Sequence, residues 1–153
     1  MSRSFYMVGI ILTGHGQFAD GLTSSVDLIA GHQKDYVVVN FEHKVDELTN
    51  DLNAAFHQLR DCDGIIVFTD LQGGSPFKTA VELSVSRKIV VVIAGTNLPM
   101  LAEVIMARPM GFDLETLAGM AINIGKDQVT RFEFSSLKED DQNEDNEDFS
   151  NGI

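Results

Sequence analysis

Residues 9–20 read GIILTGHGQFAD, and this stretch decides how the chain folds. An apolar run ends in Thr13-Gly14-His15-Gly16, and apolar residues at helical spacing follow directly. A short apolar run bounded by turn residues is typical of a strand buried on both faces of a parallel sheet. The stretch therefore predicts a first strand over residues 6–12 and a helix over residues 17–30, with His15 exposed in the turn between them.

The same alternation of strand and helix continues through most of the chain. The sequence predicts further strands over residues 36–41, 65–69 and 89–94, and further helices over residues 45–59, 76–86, 97–108 and 114–124. This alternation implies right-handed βαβ units, and hence a three-layer α/β/α fold around a mainly parallel sheet. We assume the strand order 2-1-3-4, which makes the first and third strands neighbours.

Residues 129–134, VTRFEF, differ from the other predicted strands because apolar and polar residues alternate in them. Such alternation indicates a strand with one face in water, at the edge of a sheet or at an interface. We therefore expect a fifth strand there.

Composition limits the classes of function that the chain can have. Its 153 residues fit one domain, residues 1–135, followed by an acidic tail, residues 136–153, that we expect to be disordered. A net charge of −12 argues against nucleic-acid binding. The single Cys62 rules out an internal disulfide framework, and no apolar run reaches membrane length, so we expect a cytoplasmic protein. The apolar N-terminal segment lacks a signal-peptide cleavage site, and we interpret it as a core strand.

Two segments that follow neighbouring strands carry the residues suited to chemistry. Functional groups in such folds gather beyond the carboxyl ends of strands, so His15 and Asp70 are expected to meet there. A carboxylate that binds one imidazole nitrogen holds the other as a nucleophile. Ser75 and the amides from Gly74 to Phe77 open a predicted helix, with Ser75 as N-cap, and form an anion site. This set predicts transient carriage of a phosphoryl group, with no cofactor and no metal.

Each of these residues also has a plainer explanation. A histidine between two glycines can simply tolerate unusual backbone dihedrals, and Asp70 alone is typical of a turn or a helix cap. The segment Gly73-Gly74-Ser75-Pro76 alone is most often only the start of a helix. The other three histidines are expected on solvated faces, and none has the spacing of a zinc helix.

Three segments together resemble the IIA proteins of the mannose family of the bacterial phosphoenolpyruvate-dependent sugar phosphotransferase system, over about residues 5–134. They are ILTGHG at residues 11–16, DLQGGSPF at residues 70–77, and GTNLPML at residues 95–101 with Met106-Ala107-Arg108. Leu71-Gln72 depart from the Thr-Trp that we expect of the family. This departure leaves His15, Asp70 and Ser75 in place.

The resemblance implies a role for each site residue and a set of partners. His15 would accept a phosphoryl group on Nε2 from the carrier protein HPr and pass it to a histidine of a IIB protein or domain. Asp70 would hold Nδ1, and Ser75 would lie at the phosphate. The resemblance also implies a homodimer that exchanges its last, antiparallel strand, residues 129–134, and an indirect link to the membrane components IIC and IID.

Three alternatives to this function stay open at the level of sequence. The related phosphoryl-donor subunit of dihydroxyacetone kinase would use similar chemistry. A regulatory module on the same fold could bind a ligand without catalysis. A hydrolase that uses His15 and Ser75 is disfavoured, because the chain lacks a nucleophile-elbow motif.

Overall fold

The computed structural model describes residues 6–87 and 89–135, and a parallel four-stranded sheet forms its centre. The strands are β1 (Val8–His15), β2 (Tyr36–Phe41), β3 (Gly64–Thr69) and β4 (Val90–Ile93). They lie in the order β2-β1-β3-β4, and all neighbouring pairs are parallel. The predicted fold class and strand order are confirmed.

Five α-helices cover the two faces of this sheet. They are α1 (Phe18–Ala30), α2 (Val45–Gln58), α3 (Ser75–Ser84), α4 (Leu98–Ala107) and α5 (Leu114–Asp127), and a 3₁₀ turn (Arg108–Met110) follows α4. Helices α1, α4 and α5 pack on one face, and α2 and α3 pack on the other. Each connection from strand to helix therefore passes over the carboxyl end of the sheet, which is where functional loops collect.

The core has two parts because side chains of a strand alternate between the faces of a sheet. Ile10 and Leu12 join the cluster under α1, α4 and α5, whereas Ile11 joins the cluster under α2 and α3. All three side chains are fully buried. Burying an aliphatic side chain contributes roughly 1.5–3 kcal/mol, so β1 is strongly anchored and is a rigid base for the residues at its end.

Two boundaries differ from the prediction in a way that matters for the site. The first strand begins at Val8 and runs on to His15, because Gly14 and His15 remain in register with the end of β2. His15 is thus the last residue of a strand and not part of a loose turn. Helix α3 begins at Ser75, and its N-cap is the extended Gly74, so the prediction of Ser75 as N-cap is wrong by one residue.

Residues 129–134 form no strand with the four described strands of this chain. The predicted fifth strand is one exchanged with a second copy, so its pairing stays a prediction. The expected tail, residues 136–153, lies outside the described residues. Within residues 6–87 and 89–135, no helix is both long and apolar enough to cross a membrane.

Candidate functional site

His15 sits at the carboxyl end of β1, between the ends of β2 and β3. The next residue, Gly16, has a φ of 56°, a left-handed conformation that glycine adopts without strain. Its N–H donates to the carbonyl of Phe41 at 2.8 Å, which ties the turn to the end of β2. The His15 side chain is 44% exposed, so a fixed backbone presents a ring that a partner can reach.

Asp70 follows β3 and contacts His15 twice through one carboxylate oxygen. Its Oδ2 lies 2.8 Å from His15 Nδ1 and accepts the backbone N–H of His15 at 2.8 Å. The other oxygen, Oδ1, accepts the N–H of Leu71 at 2.8 Å, and the Asp70 carbonyl accepts the N–H of Gly95 at 2.9 Å. The carboxylate is therefore held from three directions, and it in turn fixes the orientation of the imidazole.

The surroundings of Asp70 favour its charged form. Burial alone would raise the pKa of this carboxyl, but hydrogen bonds from the His15 backbone and ring and from the Leu71 backbone oppose it, and the net pKa is lowered. Asp70 is thus ionised at neutral pH and accepts a proton-bearing Nδ1. An imidazole held in that tautomer carries its lone pair on Nε2.

Gly14 makes the close approach of the two residues feasible. A Cβ atom at this position would lie 2.4 Å from Phe18 Cδ1 and 3.0 Å from Asp70 Oδ2. Any larger residue would therefore push against both the α1 ring and the carboxylate that binds His15. The glycine before the histidine is explained by this packing, and the glycine after it by a positive φ.

Two neighbours confine the imidazole ring without covering it. The Phe41 ring meets it edge-on, with centroids 5.5 Å apart. A Cβ atom built on Gly74 would lie 3.0 Å from His15 Cε1, so the start of α3 passes close beside the ring. Within the described residues, Nε2 has no hydrogen-bond partner. The nitrogen that keeps the lone pair is also the one left open.

The first turn of α3 lies beside this open nitrogen. No side chain of the described residues caps it, so the amides that follow Gly74 keep their hydrogen-bonding capacity for an anion. Ser75 is the first helical residue and is half-buried, with its hydroxyl in the same turn. Phe77, two residues further along this turn, also lines a groove along β4.

The structure thus brings together His15, Asp70, Gly74 and Ser75, and Phe77 follows them in the first turn of α3. Sequence reasoning missed Phe41 and Gly14 as parts of the site. The register of β1 with β2 would have indicated Phe41, since it pairs with His15. Within the described residues, no group of three or more His, Cys, Asp or Glu side chains could hold a metal ion.

Comparison with known families matches this chain to one family model. The model describes the PTS system fructose IIA component, of the mannose type of enzyme IIA, and it matches residues 9–122. The "PTS system mannose-specific EIIAB component" of Escherichia coli is 30% identical over 124 residues, which are 80% of this chain and 38% of that protein. The "PTS system sorbose-specific EIIA component" of Lacticaseibacillus casei is 33% identical over 62% of this chain and 70% of its own length.

Solved structures give the same result for the fold. A phosphotransferase system component EIIA from Streptococcus agalactiae superposes with a TM-score of 0.74 at 35% identity, covering 85% of this chain and 99% of that one. A mannose/sorbose-specific IIA subunit from Enterococcus faecalis superposes with a TM-score of 0.75 at 25% identity, covering 83% and 96%. The chain spans 38% of the length of the two-part E. coli relative, and nearly all of both single-unit structures.

Proposed function

Since the chain belongs to the mannose family of IIA components of the sugar phosphotransferase system, we propose that it is a phosphohistidine carrier with His15 as the acceptor. The observation that carries this proposal is that one nitrogen of the His15 ring is hydrogen-bonded and the other is not. Nδ1 lies 2.8 Å from the ionised Asp70, and Nε2 is open to a partner. That arrangement supplies a neutral nucleophile and needs neither a metal nor a nucleotide.

The transfer is an exchange of one phosphorus–nitrogen bond for another. The lone pair of Nε2 forms a bond to phosphorus while the bond to the histidine of phospho-HPr breaks, and the electron pair returns to the donor's imidazole. Asp70 keeps the proton on Nδ1 and stabilises the positive charge that develops on the ring. Ser75 and the first amides of α3 bind the phosphoryl oxygens, which carry negative charge in the transition state.

In the second step the phosphoryl group leaves His15. A histidine of a IIB protein or domain attacks the phosphorus, the bond to His15 Nε2 breaks, and His15 returns to its neutral state. Positioning of the imidazole provides most of the rate enhancement, because the same fixed ring serves first as acceptor and then as leaving group. Membrane components IIC and IID would use the phosphoryl group downstream, so the link to them is indirect.

A labelling experiment tests the proposal. Incubation with labelled phosphoenolpyruvate, enzyme I and HPr should place an acid-labile, alkali-stable phosphate on the chain. His15→Ala should abolish the label and leave the fold intact, since the side chain is exposed and outside the core. His43→Ala is the matched control, because it removes another exposed histidine and should keep the label. A label that persists in His15→Ala would refute the assignment.

We also propose that the functional unit is a homodimer. Val129, Phe132 and Phe134 are between half and three-quarters exposed, which is unusual for a run of large apolar residues. β4 is an edge strand, and a groove of about 680 Å³ runs beside it. Residues 129–134 of a second copy would pair with this edge and fill the groove. Sedimentation equilibrium should give the mass of two chains, and the mass of one chain at micromolar concentration would contradict the proposal.

A further inference from the structure

The sheet has a second edge, formed by β2, whose outer side pairs with none of the described strands. The N–H of Ile10 donates to the carbonyl of Asp35 at 2.9 Å, so the backbone groups that bind β1 belong to the odd-numbered residues of this region. Backbone groups alternate in direction along a strand. Those of Val38 and Asn40 therefore point away from the sheet and are available to another chain.

This edge lacks the features that usually prevent strand pairing. The sequence YVVVNF of β2 contains no proline, no lysine and no other charge, and it is rich in β-branched residues. Exposed edges in monomeric proteins are normally blunted by such residues, because an open edge of this composition pairs readily with other strands. The edge is chemically suited to binding an extended segment by adding a strand to the sheet.

A groove of about 400 Å³ lies between this edge and α2 and gives the edge a charge preference. The described residues that line it include Glu42 and Asp51 and no basic residue. The Asn40 side chain lies on the opposite face of the sheet, where its amide nitrogen donates to Asp20 of α1 at 2.7 Å. The two carboxylates favour a segment that brings positive charge.

The edge is continuous with the phosphoryl-transfer site. β2 ends at Phe41, whose ring contacts the His15 ring and whose carbonyl binds Gly16. An extended segment lying on β2 would thus end beside the ring of His15. A protein that exchanges phosphoryl groups with His15 has to dock over this same end of the sheet, so one partner can occupy both surfaces.

We propose that the open edge of β2 and its acidic groove bind an extended basic segment of a protein that exchanges phosphoryl groups with His15. This proposal rests on the proposed function, since the partner is defined by that reaction. The contact is made by main-chain hydrogen bonds from Val38 and Asn40, and the charges of Glu42 and Asp51 select basic side chains.

Val38→Pro is the decisive variant. The N–H of Val38 points away from the sheet, so proline removes no bond to β1 and is tolerated at such an edge position, yet it blocks the addition of a strand. We expect KM to rise about tenfold, with kcat within about twofold of wild type, in transfer from phospho-HPr or in transfer to IIB. Leu28→Thr changes an 89% exposed side chain of α1, outside the edge and its groove, and it is the control with wild-type KM.

The double variant Glu42→Gln with Asp51→Asn tests the charge preference and does not depend on how Val38→Pro folds. It should raise the same KM and weaken its dependence on salt concentration. A wild-type KM for both partners in both variants would overturn the proposal. Sedimentation that shows a smaller assembly for Val38→Pro would also overturn it, because the occupant would then be a second copy of this chain. A wild-type chain that accepts no phosphate at all would instead refute the proposed function.

Discussion

The polar side chains at the two ends of the sheet differ in exposure and in hydrogen bonding. At the carboxyl end, His15 is 44% exposed, and one ring nitrogen is bound by Asp70 while the other is open. At the amino end, Arg108 is only 8% exposed, and its guanidinium is hydrogen-bonded on both terminal nitrogens. Nη1 donates to the carbonyls of Val8 and Asp35, and Nη2 donates to the carbonyl of Lys34 and the side chain of Gln33.

This difference separates a side chain that holds the fold from the one that we propose acts on a partner. Arg108 joins the start of β1 to the loop before β2, and its bonds reach across 73 to 100 residues of sequence. Its donors are largely used within the chain, so little capacity remains for a ligand. His15 keeps an unused acceptor at the surface while its other contacts fix the ring. A fixed side chain with an unused hydrogen-bonding atom at the surface is what we expect of a functional site.

Replacing Arg108 should produce the largest loss of stability. Arg108→Ala removes four hydrogen bonds, one of them to the buried carbonyl of Val8, together with a side chain that is only 8% exposed. We expect the free energy of unfolding to fall by roughly 3–5 kcal/mol, measured by urea denaturation. Arg60→Ala is the matched control, because this arginine is exposed and its guanidinium donates to the exposed carbonyl of His57, three residues away, at 2.9 Å. Its effect should stay within about 0.5 kcal/mol. A loss below about 1 kcal/mol in Arg108→Ala would contradict the structural role of Arg108, since its hydrogen bonds would then add little to stability.

Sequence alone could predict the carboxyl end far better than the amino end. Alternating strands and helices imply the sheet, and His15 and Asp70 each follow a strand, so their meeting follows from one assumption about strand order. No pattern indicates that Arg108 is buried, because arginine is usually exposed and its partners are distant in sequence. The one-residue error at Ser75 and the extension of β1 to His15 arise from local backbone geometry and register, which composition does not encode.

Asp70→Asn tests whether the contact between Asp70 and Nδ1 keeps the lone pair of His15 on Nε2. The asparagine amide can donate to Nδ1, which would move the imidazole proton to Nε2 and remove the nucleophilic lone pair. We expect transfer from phospho-HPr to slow roughly 100-fold, about 2.7 kcal/mol in activation free energy, in single-turnover measurements. Asp20→Asn removes the same charge near the site and should transfer at close to the wild-type rate. Equal rates for Asp70→Asn and wild type would show that Asp70 does not set the tautomer.

Gly14→Ala and Gly21→Ala add the same methyl group at two nearby positions, and we expect opposite effects on stability. At Gly14 the added carbon would lie 2.4 Å from Phe18 Cδ1 and 3.0 Å from Asp70 Oδ2, so we expect a loss of about 2 kcal/mol and slower phosphorylation. Gly21 is inside α1 with nothing within 4 Å of the added carbon. Alanine there should stabilise the chain by roughly 0.5–1 kcal/mol, because it is the better helix former, and should leave phosphorylation unchanged. Urea denaturation and the labelling rate measure both effects. A Gly14→Ala variant as stable and as active as wild type would show that close packing between β1, α1 and Asp70 does not fix His15. The rigidity of the site would then have to come from the backbone hydrogen bonds to Phe41 and Asp70 alone.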